Sequence, residues 1–128
     1  MTVIVTDKGF APEDWTEGFE AEGVLDLPSD TDPQAVDFDA ATRLIRVAFP
    51  SSADGRGFTI ARQLRLRGYT GRLRAAGHVI ADQYAMARRS GFDEVEIDES
   101  LAARQPESQW IFRADWRAHD YQSRLRAG

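Results

Sequence analysis

The sequence predicts an α/β fold: a single compact domain built on a parallel β-α-β-α-β core. Three observations carry that expectation. Leu44 to Phe49, Leu73 to Ala75 and Val95 to Ile97 are short runs of strand-like composition. Two stretches with helical spacing separate them. The links between are too short for anything but helical crossovers, which makes the strands parallel neighbours. A chain of 128 residues builds one core, so residues 1–128 are read as one domain.

From the N-terminus, Val3 to Val5 reads as a short edge strand that Gly9 and Pro12 break. Val24 and Leu25 begin another apolar run, which Pro28 ends. Asp30-Thr-Asp-Pro33 reads as a turn or a helix start, with proline where its missing N–H costs least. Leu44 to Phe49 follows as a central strand closed by Pro50, Ser51 and Ser52. Phe58 to Arg67 is a helix, because Phe58, Ala61 and Leu64 recur at intervals of three while Arg62 and Arg65 point outward. Gly68 and Gly71 punctuate its end. After the Leu73 to Ala75 strand, Val79 to Arg89 returns to helical spacing through Ile80, Tyr84 and Ala87, and Ser90-Gly91 closes it. Phe92 is placed to seal that helix against the sheet. Ser100 to Arg104 forms a helical turn, Pro106 breaks it, and Trp110 to Phe112 is either a last strand or the apolar face of a helix. From Arg124 the chain does not end on a core element. The pattern fits a curled sheet like part of a TIM barrel or a flat three-layer arrangement.

Composition excludes several function classes. There is no cysteine, hence no disulfide, no thiolate nucleophile and no Cys-ligated zinc or iron–sulfur site. Redox work would need a bound cofactor or a partner that holds one, and no cofactor motif is evident. No run approaches the roughly 20 apolar residues of a membrane span, and the first residues lack a basic signal-peptide region, so the expectation is a cytoplasmic protein. The formal charge of −5 is unevenly spread. Residues 1–54 hold 12 acids and 3 bases, whereas residues 55–92 hold 8 arginines and one acid, Asp82. Either the two segments neutralise each other across the surface, or the arginines form a face for an anion or an acidic protein. Nucleic acid is the weaker partner, because the flanking segments repel phosphate and no binding motif accompanies the arginines.

In a parallel sheet, ligands meet the carboxyl ends of the strands. That rule makes Ser51 to Gly57, Gly77 to Gln83 and Asp98 to Glu99 converge on one edge. Gly55 and Gly57 let backbone approach an anion beside Arg56 at a helix start, or they form a tight strand-to-helix turn with an exposed arginine. The run lacks the lysine of a P-loop and the third glycine of a dinucleotide fingerprint. His78 and Asp82 are the candidates for an acid–base pair, four residues apart, with Ser51 or Ser52 as hydroxyl partners; the plainer role for Asp82 is a helix cap. Arg88 and Arg89 suit the last turn of a helix. No metal site is expected from His78 and its neighbouring acids. The aromatic tail, Trp110, Phe112, Trp116 and Tyr121, either caps the core or meets a partner.

The run Asp54-Gly-Arg-Gly-Phe58, Ala61, Leu64-Arg65, Gly68-Tyr69, Gly71, Leu73-Arg-Ala75, Gly77, Asp82-Gln83, Arg88-Arg89 and Gly91-Phe-Asp93 resembles the bacterial family called domain of unknown function 934. A weaker match at Tyr121-Gln122 extends the resemblance toward the C-terminus. His78 lies outside that signature. The resemblance implies a setting in assimilatory sulfite reduction, the sulfate-assimilation route to cysteine, where such proteins are labelled probable oxidoreductases. It implies an accessory protein that binds sulfite reductase or its electron donor, with a small-anion or nucleotide-binding oxidoreductase as the rival. Asp54, Gly55, Arg56, Gly57, Arg65, Gln83 and Arg88 are then the candidates for anion or partner binding.

Overall fold

A computed structural model describes residues 2–116. It contains six strands, β1 (Thr2–Thr6), β2 (Gly9–Pro12), β3 (Val24–Leu27), β4 (Leu44–Phe49), β5 (Arg72–Gly77) and β6 (Glu94–Asp98). Four helices, α1 (Arg56–Leu66), α2 (Tyr84–Ser90), α3 (Glu99–Arg104) and α4 (Glu107–Phe112), complete it, with a 3₁₀ turn at Ala81–Gln83 leading into α2. The strands form one sheet in the order β2-β1-β6-β5-β4-β3. β3, β4, β5 and β6 are parallel, and β1 runs antiparallel to both β2 and β6.

The parallel β4-α1-β5-α2-β6 unit is the expected one, with β4 at its expected bounds and β5 and β6 longer at both ends. Successive parallel neighbours joined by helices place α1 and α2 on the same face of the sheet. Against them pack Ile45, Val47, Phe49, Leu73, Ala75, Val95 and Ile97, which alternate along their strands as period two requires. Ile60, Ala61 and Leu64 of α1 and Tyr84 and Ala87 of α2 close this core. Gly57 is needed there by packing alone: a Cβ would come within 2.4 Å of the Phe49 ring.

Several expectations are corrected. Val3 to Val5 is no edge strand, because Asp7 and Lys8 turn the chain back and Gly9–Pro12 pairs with β1 instead of breaking it. Pro12 is tolerated because β2 is itself the edge. Of the two readings of Asp30 to Pro33, the turn holds and no helix starts there. The Thr31 hydroxyl donates to the Pro28 carbonyl at 2.6 Å, and Asp32 accepts the Gln34 N–H at 2.9 Å. These local bonds outcompete helical pairing and leave turns. Val79 and Ile80 are not yet helical, since the 3₁₀ turn begins at Ala81. Trp110 to Phe112 belongs to a helix: Trp110 is buried edge-on to Tyr84 at 6.1 Å and donates to the Gln105 carbonyl at 2.9 Å. β1 and β2 end the sheet on an antiparallel edge, so only β3 to β6 form its parallel part. His119, Tyr121, Gln122 and the end from Arg124 lie outside the described residues.

The opposite face of the sheet has its own cover. Ile4, Leu44 and Ala76 are buried there, outside the helix-side core. The segment 13–23 straps over this face, where Glu13 meets Arg74 and Phe19 meets Arg46, and Arg43 ties it down by donating to Glu17 at 2.6 Å and to the Glu22 carbonyl at 2.8 Å.

Candidate functional site

The loops that leave β4, β5 and β6 converge as the parallel topology requires. Between them lies a cleft of about 400 Å³ lined by Pro50, Ser51, Ser52, His78, Ile80, Leu101, Arg104 and Gln105. Gly77 makes the turn into it, at φ +127 and with the Phe49 carbonyl 2.4 Å from where a Cβ would stand. Gln83 fixes two of its walls: its side-chain amide donates to the Ser52 carbonyl at 2.7 Å, and its carbonyl accepts the Ile80 N–H at 3.1 Å. Gln105 accepts the Ala81 N–H at 2.6 Å and fixes a third. Asp98 caps α3 by accepting the Leu101 N–H at 2.8 Å. That bond, the Ser100 hydroxyl and, more weakly, the charges of His78 and Arg104 hold its carboxyl below the usual range.

His78 and Asp82 are not brought together. His78 is exposed in the cleft, whereas Asp82 pairs with Arg113 at 2.9 Å in a separate hollow beside Ser108, Gln109 and Phe112. Asp82 caps no helix.

The other sequence candidates are drawn into the architecture. Asp54 grips Arg56 with both oxygens, at 2.9 and 2.8 Å, and also accepts its backbone N–H at 3.1 Å. Arg56 donates further to Ser29 at 2.9 Å. The Asp54 carboxyl is held far below its ordinary range by the Arg56 side chain and then by its N–H. Gly55 is exposed and caps α1, and Gly57 is buried in the first turn of that helix. Arg65 does not point outward. It donates to the carbonyls of Tyr69, Gly71 and Gly91 at 2.7–3.0 Å and to Asp93 at 3.0 Å, stapling the end of α1 to that of α2. Arg88 places two nitrogens on Asp7, each at 3.1 Å, and donates to the Phe92 carbonyl at 2.6 Å. Trp116 stacks on its guanidinium at 5.0 Å, and the Tyr84 hydroxyl also donates to Asp7.

A charged cluster on the strap side escaped the sequence reading. Register places Asp26, Arg46, Arg74 and Glu94 side by side across β3, β4, β5 and β6. Arg74 has no exposed surface; it donates to Glu13 at 2.6 Å, to Glu96 at 2.9 Å and to Glu94. Arg72 takes Glu94 at 2.8–3.1 Å and Asp14 at 2.6 Å. Phe19 of the strap lies over Arg46 at 3.8 Å, while among the described residues Nε and Nη1 of Arg46 and Nη2 of Arg74 have no hydrogen-bond partner, with Asp26 and Asp14 at 3.6 Å from the Nε and Nη2 atoms respectively. The signal was present as alternation, Arg72-Leu-Arg74 and Glu94-Val-Glu96, which gives each strand one charged face.

The family model described as bacterial protein of unknown function (DUF934) matches residues 24–127. The chain belongs to the DUF934 family. No curated protein and no solved structure matches it. The DUF934 match takes in β3 onward, hence the cleft and all of Arg46, Arg72, Arg74, Glu94 and Glu96. It leaves out β1, β2 and the strap that covers those charges.

The outer surface of α1 and α2 is the remaining candidate. Neither helix contains an acid. Arg62 and Arg89 are exposed and have no partner among the described residues. One turn beyond Arg62 on α1 is Leu66, 73% exposed, and three residues before Arg89 on α2 is Met86, 50% exposed. No helix among the described residues is long and apolar enough to cross a membrane.

Proposed function

We propose that this DUF934 protein is an accessory, partner-binding protein whose outer α1/α2 face docks on an acidic protein, with sulfite reductase or its electron donor as the partner. The observation that carries the reading is the pair of exposed arginines, Arg62 on α1 and Arg89 on α2, unpaired among the described residues in a chain of net charge −5. Arg62 and Leu66 stand one turn apart on α1, and Met86 and Arg89 three residues apart on α2, so each helix exposes a charge beside an apolar side chain. Interfaces favour that composition, with arginine, methionine and aliphatic side chains desolvated inside a polar rim. Arg56 and Arg65, the sequence candidates for this surface, are occupied by Asp54 and by backbone carbonyls, and the docking role passes to Arg62 and Arg89. The sulfite-reduction setting comes from the family resemblance, and a cytoplasmic location follows from it.

The test is reconstitution of sulfite reductase with a physiological electron donor, with and without this protein, measuring sulfide production. Stimulation that tracks formation of a complex supports the reading. Sulfide made by this protein alone, or no complex and no change in rate, overturns it.

A further inference from the structure

We propose that the cleft at the carboxyl edge of β4, β5 and β6 binds a small organic phosphate or a chemically equivalent oxyanion ester, held by His78, Arg104 and the hydroxyls of Ser51 and Ser52. This site is separate from the α1/α2 docking face and stands whether or not that face meets a protein. It occupies the place where open parallel sheets receive ligands, because backbone and side chains of successive loops all end there.

The donor set is selective. Among the described residues Arg104 is the one permanently charged group lining the cleft, and its Nη atoms have no hydrogen-bond partner there; Nε reaches the Ser100 carbonyl, at 3.4 Å. The His78 backbone N–H is taken by the Phe49 carbonyl at 2.8 Å, and its exposed ring makes no hydrogen bond among the described residues, acting on Asp98 only through its charge. Ser51 Oγ accepts the Ala53 N–H at 3.2 Å, which leaves its own proton to donate outward. Among the described residues no acid lines the cleft, although the chain has 21 acids against 16 bases. Asp98, the nearest cap, already accepts from Leu101 and Ser100 at 2.8 Å through one oxygen. Guanidinium, imidazole and hydroxyl donors around one point match the several acceptor oxygens of a tetrahedral anion.

The rest of the cleft decides between a bare ion and an ester. Pro50, Ile80 and Leu101 present apolar surface, and about 400 Å³ is within the range of small-molecule sites and larger than an inorganic ion fills. An organic phosphate therefore binds better than phosphate itself, its carbon portion against these three side chains.

The experiment is an amide-resonance titration of the full chain with inorganic phosphate and with glycerol 3-phosphate at constant ionic strength. The expected result is saturable shifts confined to residues around Ser51, His78 and Arg104, with glycerol 3-phosphate the tighter ligand. Arg104→Ala and His78→Ala each weaken it at least about tenfold. Both positions are exposed, so unchanged dispersion of the spectrum shows that the fold is intact. Arg56→Ala serves as the comparison, since Asp54 already holds that guanidinium, and it leaves binding unchanged. Shifts that do not saturate, that survive both cleft substitutions, or that vanish in Arg56→Ala overturn the proposal. Equal affinity for the two ligands overturns the ester.

Discussion

Replacing Arg74 by methionine tests the energetic logic of the strap-side face. The substitution keeps volume but removes the charge around which Glu13, Glu94 and Glu96 are arranged. The three do not suffer equally. Glu94, 8% exposed at its side chain, keeps Arg72 at 2.8 Å, and Glu13 at the strap can turn to water. Glu96, 9% exposed, keeps only Arg46 at 3.6 Å. One buried carboxylate is thus left nearly unpaired, a situation that costs about 3–5 kcal/mol. For a chain of this size each kcal/mol lowers Tm by roughly 4 °C, so Arg74→Met is expected to lose about 12–20 °C. Arg74→Met/Glu96→Leu removes both unpaired charges, leaves Glu94 with Arg72, and recovers most of the loss. The assay is urea and thermal unfolding followed by circular dichroism. A single variant within roughly 1 kcal/mol of the parent, or a double variant as damaged as the single, would refute the reasoning.

Three further outcomes follow from the packing. Arg65→Ala, which strands the carbonyls of Gly71 and Gly91, is expected to cost about 2–3 kcal/mol in urea unfolding, and Arg65→Lys restores only part because a lysine cannot span both loops. Gly57→Ala drives a methyl into the Phe49 ring, and a loss of about 1–3 kcal/mol is expected from overpacking; a neutral melt contradicts it. Burial acts to raise the Glu13 carboxyl, but the hydrogen bond from Arg74, the Trp15 N–H and the charge of Arg74 outweigh it and leave its pKa lowered. Asp14 is lowered chiefly by its hydrogen bond from Arg72. Groups lowered on folding stabilise fully above their unfolded values, 4.5 and 3.8, and lose that contribution as pH falls through the folded ones. The strap is therefore expected to hold at neutral pH and loosen in acid, read from the Trp15 indole resonance. Loosening between pH 6 and pH 8 contradicts this.

The parallel core was legible because its strands and helices obey their own periods: Ile45, Val47 and Phe49 alternate, and Ala61 and Leu64 recur at helical spacing. What hid was non-local. β1 alone looks like an edge, and only pairing with β6, more than 80 residues later in sequence, buries Val5. Arg65 resembles Arg62 in any helical projection. The difference is that Gly91 ends α2 close by and offers its carbonyl to Arg65. The sheet-edge cleft was readable from topology, since Ser51, Ser52 and His78 do meet there. Its cationic member, Arg104, was not, because it enters from α3 after another turn of chain. Asp82 was paired with His78 on spacing alone, whereas Arg113 of the following helical segment claims it.

Calorimetric titration of sulfite reductase with the parent protein and with Arg62→Glu/Arg89→Glu, each at low and at physiological salt, tests the docking surface most directly. Both positions are exposed and unpaired among the described residues, so the double variant keeps the parent's melt. The account predicts affinity at least about tenfold weaker for the variant and a smaller loss on adding salt, because the attractive charges have become repulsive. Equal affinity and equal salt dependence, with the fold intact, would contradict it.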